Sequence, residues 1–282
     1  MTADQPNQPD QADRADRLGV TTEESFYRDL GGGRFESTGA TAGPWNAKAQ
    51  HAGPPSALLG RALERHQPRP GMRIARITLE VPYPVPVGEL AVEARTVRGG
   101  ARTELLEAEL TSQGRPVMLA RAWRVAASPE DTPALRPEPG PAALPAPHPV
   151  TAAPGTLTDG YVSAMEWRFQ EGSAGFTTPG PGAAWVRQRI PLVAGEEDTP
   201  LTRALTVADS NWAIAFELDH VRRLVINTDV TLALHRDPVG EWLSLTSATA
   251  ASPAGSAIAS GRLDDRSGDC GRVLQTLLVA ER

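Results

Sequence analysis

The sequence predicts an α+β fold in which one unit, a helix beside a long antiparallel sheet, is used twice. Three observations carry that reading. The phrase Pro86-Val87-Gly88-Glu89 returns as Pro238-Val239-Gly240-Glu241. Each copy follows a β-type run and leads into three more, with a turn at Gly114 or Gly268 and a closing strand ending at Val125 or Val279. Between the copies, residues 128–155 hold nine of the 26 prolines, a density that removes ladder donors and favours extended polyproline geometry. That stretch reads as a linker between a first unit, 21–127, and a second, 156–282. Residues 1–20, rich in Asp, Gln, Pro and Ala without apolar periodicity, read as a disordered tail.

In the first unit, Gly53 to His66 reads as the helix. Leu58, Leu59, Ala62 and Leu63 fall at helical spacing, Pro54 and Pro55 suit a first turn, and Pro68 ends it. Strands follow at 74–81, 89–98, 102–112 and 115–125; Val92, Ala94 and Thr96 alternate with Glu93 and Arg95 as a half-buried strand requires. In the second unit, Trp185 to Val193 reads as a strand that Pro191 pushes to an edge. Ala208 to Phe216 reads as the helix, with Asp209 as its N-cap. Strands at 223–234, 241–251, 256–264 and 271–280 complete it.

The bulk numbers exclude several classes of function. With 28 Lys and Arg against 34 Asp and Glu, the net charge of −6 argues against a general nucleic-acid binder. No run approaches the roughly 18–20 apolar residues of a membrane span, and the N-terminus lacks an apolar signal core. The one cysteine, Cys270, precludes an internal disulfide, fits a reducing cytoplasmic compartment, and reads as an exposed turn thiol. The five histidines show no metal-ligand spacing, no Gly-x-Ser-x-Gly elbow is present, and Gly180-Pro181-Gly182 precedes a strand rather than a helix. No metal and no cofactor are expected.

Several runs, in order, carry a resemblance. They are Ala42-Gly43-Pro44-Trp45-Asn46, then Gln50-His51-Ala52-Gly53-Pro54-Pro55-Ser56-Ala57-Leu58-Leu59, then Asp209-Ser210-Asn211. Asn227-Thr228-Asp229, Leu234-His235-Arg236 and Gly240-Glu241-Trp242-Leu243 continue the series. Together they resemble the thioesterase-like superfamily of hot-dog proteins, closest to bacterial acyl-CoA thioesterase II. The resemblance spans about residues 25–127 and 158–282. It implies a tandem, double hot dog, each unit a sheet wrapped around a central helix. It also implies hydrolysis of acyl-CoA or a related acyl thioester by a water held between Asp, Thr and Gln. Asp229 matches the family Asp, and Gln275 matches the Gln if one residue is gapped. The family Thr falls on Ala250 without a gap; Thr249, next to it, reaches the site only through a bulge.

Thioester chemistry suits such a site. The leaving thiol has a pKa of about 8.5, so one base acting on water suffices. Asp229 is then the base, with Gln275 and Thr249 holding the water. The oxyanion is expected at the helix start near Gly53, where backbone approaches closely, with His51 as a further donor. Arg222, Arg223 and Arg236 are the candidates for the phosphates of coenzyme A. Asp209-Ser210-Asn211 reads as a helix cap. The competing function is a non-catalytic hot-dog protein that binds acyl-CoA or a related apolar ligand, because the two prolines remove donors from the helix start. A scaffold without a pocket and a hot-dog dehydratase rank below it. A fused pair satisfies internally the interface that single hot dogs share, leaving homo-oligomers to form through outer sheet edges.

Overall fold

A computed structural model describes residues 18–133, 135, 140–153, 155–173, 175–215, 217–218 and 222–281. Most of the expected tail, and Pro137, Pro139, Pro154 and Phe216, lie outside the described residues.

The chain opens with β1 (Tyr27–Gly31), β2 (Arg34–Ser37), β3 (Ala42–Gly43) and β4 (Asn46–Gln50), and enters helix α1 (Gly53–Arg65). Then come β5 (Met72–Glu80), β6 (Glu89–Arg98), β7 (Thr103–Ser112) and β8 (Arg115–Ala126). The later part has α2 (Tyr161–Ala164), β9 (Met165–Phe169), β10 (Gly182–Gln188), α3 (Pro200–Ala208) and α4 (Asn211–Ile214). It closes with β11 (Arg223–Asn227), β12 (Asp229–Leu234), β13 (Leu243–Ala251), β14 (Ser256–Asp265) and β15 (Gly268–Glu281).

Thirteen strands share one sheet in the order β1-β2-β6-β7-β8-β5-β12-β15-β14-β13-β10-β9, with β11 also on β15. Reading outward from the centre, β5-β8-β7-β6 on one side mirrors β12-β15-β14-β13 on the other. The duplicated sequence is therefore a duplicated sheet. The halves join where β5 pairs antiparallel with β12, Leu79 opposite Val230 and Ile77 opposite Leu232, and Thr78 and Thr231 hydrogen-bond across the seam at 3.0 Å. Both Pro-Val-Gly-Glu copies lead into equivalent strands, β6 and β13, and their glycines, Gly88 and Gly240, take φ of 142° and 80°. Only glycine adopts such angles readily.

The two central helices lie side by side and antiparallel. Gly53 at the start of α1 sits against Thr206 near the end of α3, Gly60 against Leu201 and Leu205, and Glu64 accepts from Thr199 at 2.7 Å. Leu58, Leu59 and Leu63 of α1 and Leu201 and Leu205 of α3 belong to one continuous core spanning both halves. This is the tandem hot-dog architecture that the duplication implies.

Three expectations are corrected. The main helix of the second half lies upstream of the predicted one: Thr199 caps it by accepting from Thr202 N–H at 3.1 Å, Pro200 opens it, and Asp209 ends it. The strand predicted over 185–193 runs from Gly182 to Gln188 and stops before Pro191, whose carbonyl accepts instead from Phe26 N–H at 3.1 Å. Cys270 is fully buried in β15, where burial pushes its thiol up to about 12. β1–β4 and β9 went unpredicted because they are short.

Candidate active site

The antiparallel helix pair brings the C-terminal end of α3 to the N-terminal end of α1. Gly53 makes that contact close: a Cβ there would lie 2.4 Å from the Thr206 carbonyl oxygen. The glycine is thus required by helix packing. Asp209 caps α3, where the helix dipole disfavours an anion by about 0.3–1 kcal/mol. The start of α1 offsets that cost: the Ala52 and Gly53 N–H groups favour the Asp209 charge, and Gly53 N–H donates to His51 Nδ1 at 3.2 Å. The donors expected at this helix start therefore face the protein's own His51–Asp209 pair. Pro54 and Pro55 have no N–H, and Ser56 N–H is bonded to the Ala52 carbonyl.

Asp209 is 4% exposed and surrounded by donors. Its Oδ1 accepts from Asn227 Nδ2 at 2.9 Å and Gln275 Nε2 at 3.1 Å. Its Oδ2 lies 3.0 Å from His51 Nδ1. Gln275 is itself fully buried and fixed at both ends, since its Oε1 accepts from Trp212 N–H at 3.0 Å and its Nε2 also reaches the Asp209 carbonyl. The His51 ring stacks on Tyr161, 3.7 Å between centroids and 7° from parallel. Tyr161 in turn donates to the Thr206 carbonyl at 2.8 Å and sits 2.9 Å from Ser210 Oγ. Burial lowers the His51 pKa and the Asp209 charge opposes that; burial raises the Asp209 pKa and His51, Ala52, Asn227 and Gly53 oppose that. Donors around Asp209 suit a carboxylate, and burial of His51 suits a neutral imidazole. Nδ1 lies between the Asp209 carboxylate at 3.0 Å and the Gly53 N–H at 3.2 Å; in the tautomer that donates from Nδ1 to Asp209, the Nε2 lone pair is left on the other side of the ring.

Two cavities meet at this pair. A cavity of about 520 Å³ is lined by Trp45, Tyr83, Arg223, Ile226 and Asn227, with His51 and Asp209 in its wall. A smaller one of about 40 Å³, bounded by Tyr161, Trp167 and Phe176, shares Trp45, His51 and Ala213 with the first.

Of the residues expected at the site, His51, Gly53 and Gln275 converge here. Asp229 does not. It opens β12 opposite Glu80, and its Oδ1 accepts from Thr276 N–H at 3.1 Å at the break between β11 and β12. That carboxylate satisfies a strand and is not in the wall of either cavity. Thr249 also lies apart: its hydroxyl donates to the Ala215 carbonyl at 3.2 Å, holding the end of α4, and it lines neither cavity. Arg236 is committed elsewhere, to both oxygens of Asp265 at 2.5 and 2.7 Å and to the Gly268 and Asp269 carbonyls, which removes it as a phosphate ligand. Arg223 does line the large cavity, half exposed, with Glu281 at 3.9 Å. Asp209 and Asn227 were missed as site residues. A carboxylate directly after the Thr199-Pro200 helix, where the dipole opposes it, was the available signal for Asp209. For Asn227 the signal was a polar residue in the β-branched run Leu224 to Val230.

Residues 41–125 match the model of the acyl-CoA thioesterase N-terminal domain, and residues 129–279 match that of the C-terminal domain. The chain belongs to the acyl-CoA thioesterase family. Solved structures agree on the fold. A thioesterase II structure from Thermobifida fusca is 16% identical, with a TM-score of 0.70, covering 94% of this chain and 99% of that one. A hot-dog protein from Alicyclobacillus acidocaldarius is 18% identical at a TM-score of 0.66, covering 92% and 97%. The acyl-CoA thioesterase II TesB2 from Mycobacterium marinum is 13% identical at 0.61, covering 91% and 95%. Among curated proteins, none matches the chain. This family member is thus a double hot-dog thioester hydrolase. Among the described residues no helix is long and apolar enough to cross a membrane, and no cluster of His, Cys, Asp and Glu could hold a metal.

Proposed function

We propose that the protein hydrolyses acyl-CoA thioesters with water as the nucleophile and the His51–Asp209 pair as the base. The observation that carries this reading is the 3.0 Å contact between His51 Nδ1 and a buried carboxylate that also accepts from Asn227 and Gln275, in the wall of a 520 Å³ cavity. Asp209 orients the imidazole and balances the charge that develops on it. The Nε2 lone pair takes the proton of a water that attacks the thioester carbon. Asn227 lines the same cavity and spends one of its two amide N–H groups on Asp209; the other is offered to the carbonyl oxygen as it becomes an oxyanion. The proton on His51 then returns to the leaving thiolate. The cavity's volume lies within the usual range for ligand sites, and Arg223 at its wall suits a coenzyme A phosphate.

A second reading has Asp209 take the water's proton directly, because Asp209 also borders the cavity. One experiment separates the two. Thiol release from an acyl-CoA series is followed for the wild type and for His51→Gln. With the imidazole as base, the substitution costs on the order of a thousandfold in kcat. If Asp209 acts alone, most of the turnover survives. Tight acyl-CoA binding without any thiol release would support a binding protein instead.

A further inference from the structure

The smaller cavity adjoins the larger one at Pro44, Trp45, His51 and Ala213. Asp209 borders only the larger and Ser210 only the smaller, so the reacting carbon belongs where they meet. The smaller cavity is walled by Ala152, Ala153, Tyr161, Val162, Trp167 and Phe176 and is almost wholly apolar. Its far wall is braced. Phe176 meets Trp167 edge-on at 5.0 Å and Phe169 edge-on at 5.0 Å, and Trp167 Nε1 is tied to the Val162 carbonyl at 2.9 Å. A wall of interlocked rings does not move aside for a longer chain. At roughly 10–15 Å³ for each water-sized group, 40 Å³ holds about three such groups beyond the carbonyl carbon.

We propose that this cavity is the acyl site and restricts the enzyme to short straight acyl groups, with the four-carbon butyryl group as the best fit. The inference rests on the hydrolase reading above. Trp167 and Phe176 are its specificity-determining residues. Longer chains meet the aromatic wall before their thioester reaches His51.

The test is a series of straight-chain acyl-CoA substrates from two to twelve carbons, given to the wild type and to Phe176→Ala. Butyryl-CoA is expected to give a kcat/KM on the order of a hundredfold above that of octanoyl-CoA. In Phe176→Ala, octanoyl-CoA is expected to improve by roughly tenfold or more, with butyryl-CoA changing far less. Phe176→Leu, a smaller change, gives the same shift in weaker form where the alanine variant is unstable. An optimum at eight carbons or beyond in the wild type, or an unchanged profile in both variants, overturns the proposal. Calorimetry on Asp209→Asn keeps this question apart from turnover. Butyryl-CoA binding about tenfold tighter than free coenzyme A, with octanoyl-CoA no tighter than coenzyme A, supports the pocket even if no acyl-CoA is hydrolysed. Equal affinity across the series, or no binding, removes it.

Discussion

Asp209→Asn is the perturbation with the most structural content. The substitution keeps shape and volume but removes a charge 3.0 Å from His51 Nδ1. At an effective dielectric of about 20, two unit charges at that distance interact by about 5 kcal/mol. When His51 takes a proton in the transition state, that attraction is what the variant lacks. At about 1.4 kcal/mol per factor of ten, the loss corresponds to a fall on the order of 10³–10⁴ in kcat. Asn227 and Gln275 add to the effect, because both amides donate to Oδ1 and an amide nitrogen placed there would face two donors. KM is expected to change little, since the carboxylate contributes to the transition state rather than to holding coenzyme A. The assay is thiol release from butyryl-CoA under saturating conditions, with circular dichroism to confirm that the variant is folded. A variant within tenfold of the wild type would refute the reasoning.

Other outcomes follow from the same geometry. The active form of His51 is neutral, so kcat/KM should fall as pH drops through its pKa. Burial places that pKa below 6.5, and Asp209→Asn, which removes the opposing carboxylate, should move the acid limb to still lower pH; a pH-rate profile of both proteins reads this. Asp229→Asn should stay within a few-fold of wild-type activity and lose about 1 kcal/mol of stability in a urea titration, because the bonds from Thr276 N–H and the Thr228 hydroxyl are weakened. Arg236→Ala should cost about 3 kcal/mol of stability by leaving Asp265, fully buried, without its guanidinium partner, while KM for the acyl-CoA stays the same. Burial pushes the Asp265 carboxyl up, but Arg236 and the Val239 and Ser267 N–H groups outweigh it and hold it at about 2. Its contribution is therefore complete above about pH 4 and is lost as pH falls toward 2, which acid unfolding of the two proteins would reveal.

The duplication was legible because both units repeat the same local devices: a turn glycine at Gly88 and Gly240, then alternating strands. α1 was legible from Pro54, Pro55 and its leucines. The second helix was displaced because Asp209-Ser210-Asn211 imitates an N-cap; in the fold it is the seam between α3 and the single turn of α4. A carboxylate at a helix C-terminus is locally unfavourable, and only the neighbouring α1, about 150 residues earlier in the chain, explains it. Gln275 is legible through the family resemblance, and the same resemblance pairs it with Asp229 rather than with Asp209. Side-chain register at the β11–β12 break decides the matter: Asn227, two residues before Asp229, borders the cavity. That break, at Thr228, has no sequence marker.

The most direct measurement is a crystal structure with a non-hydrolysable butyryl-CoA analogue, read for the position of the carbonyl carbon. It should lie beside His51 Nε2, its oxygen toward Asn227 and its short chain against Trp167 and Phe176. A carbonyl seated beside Asp229, away from the His51–Asp209 pair, would contradict the account.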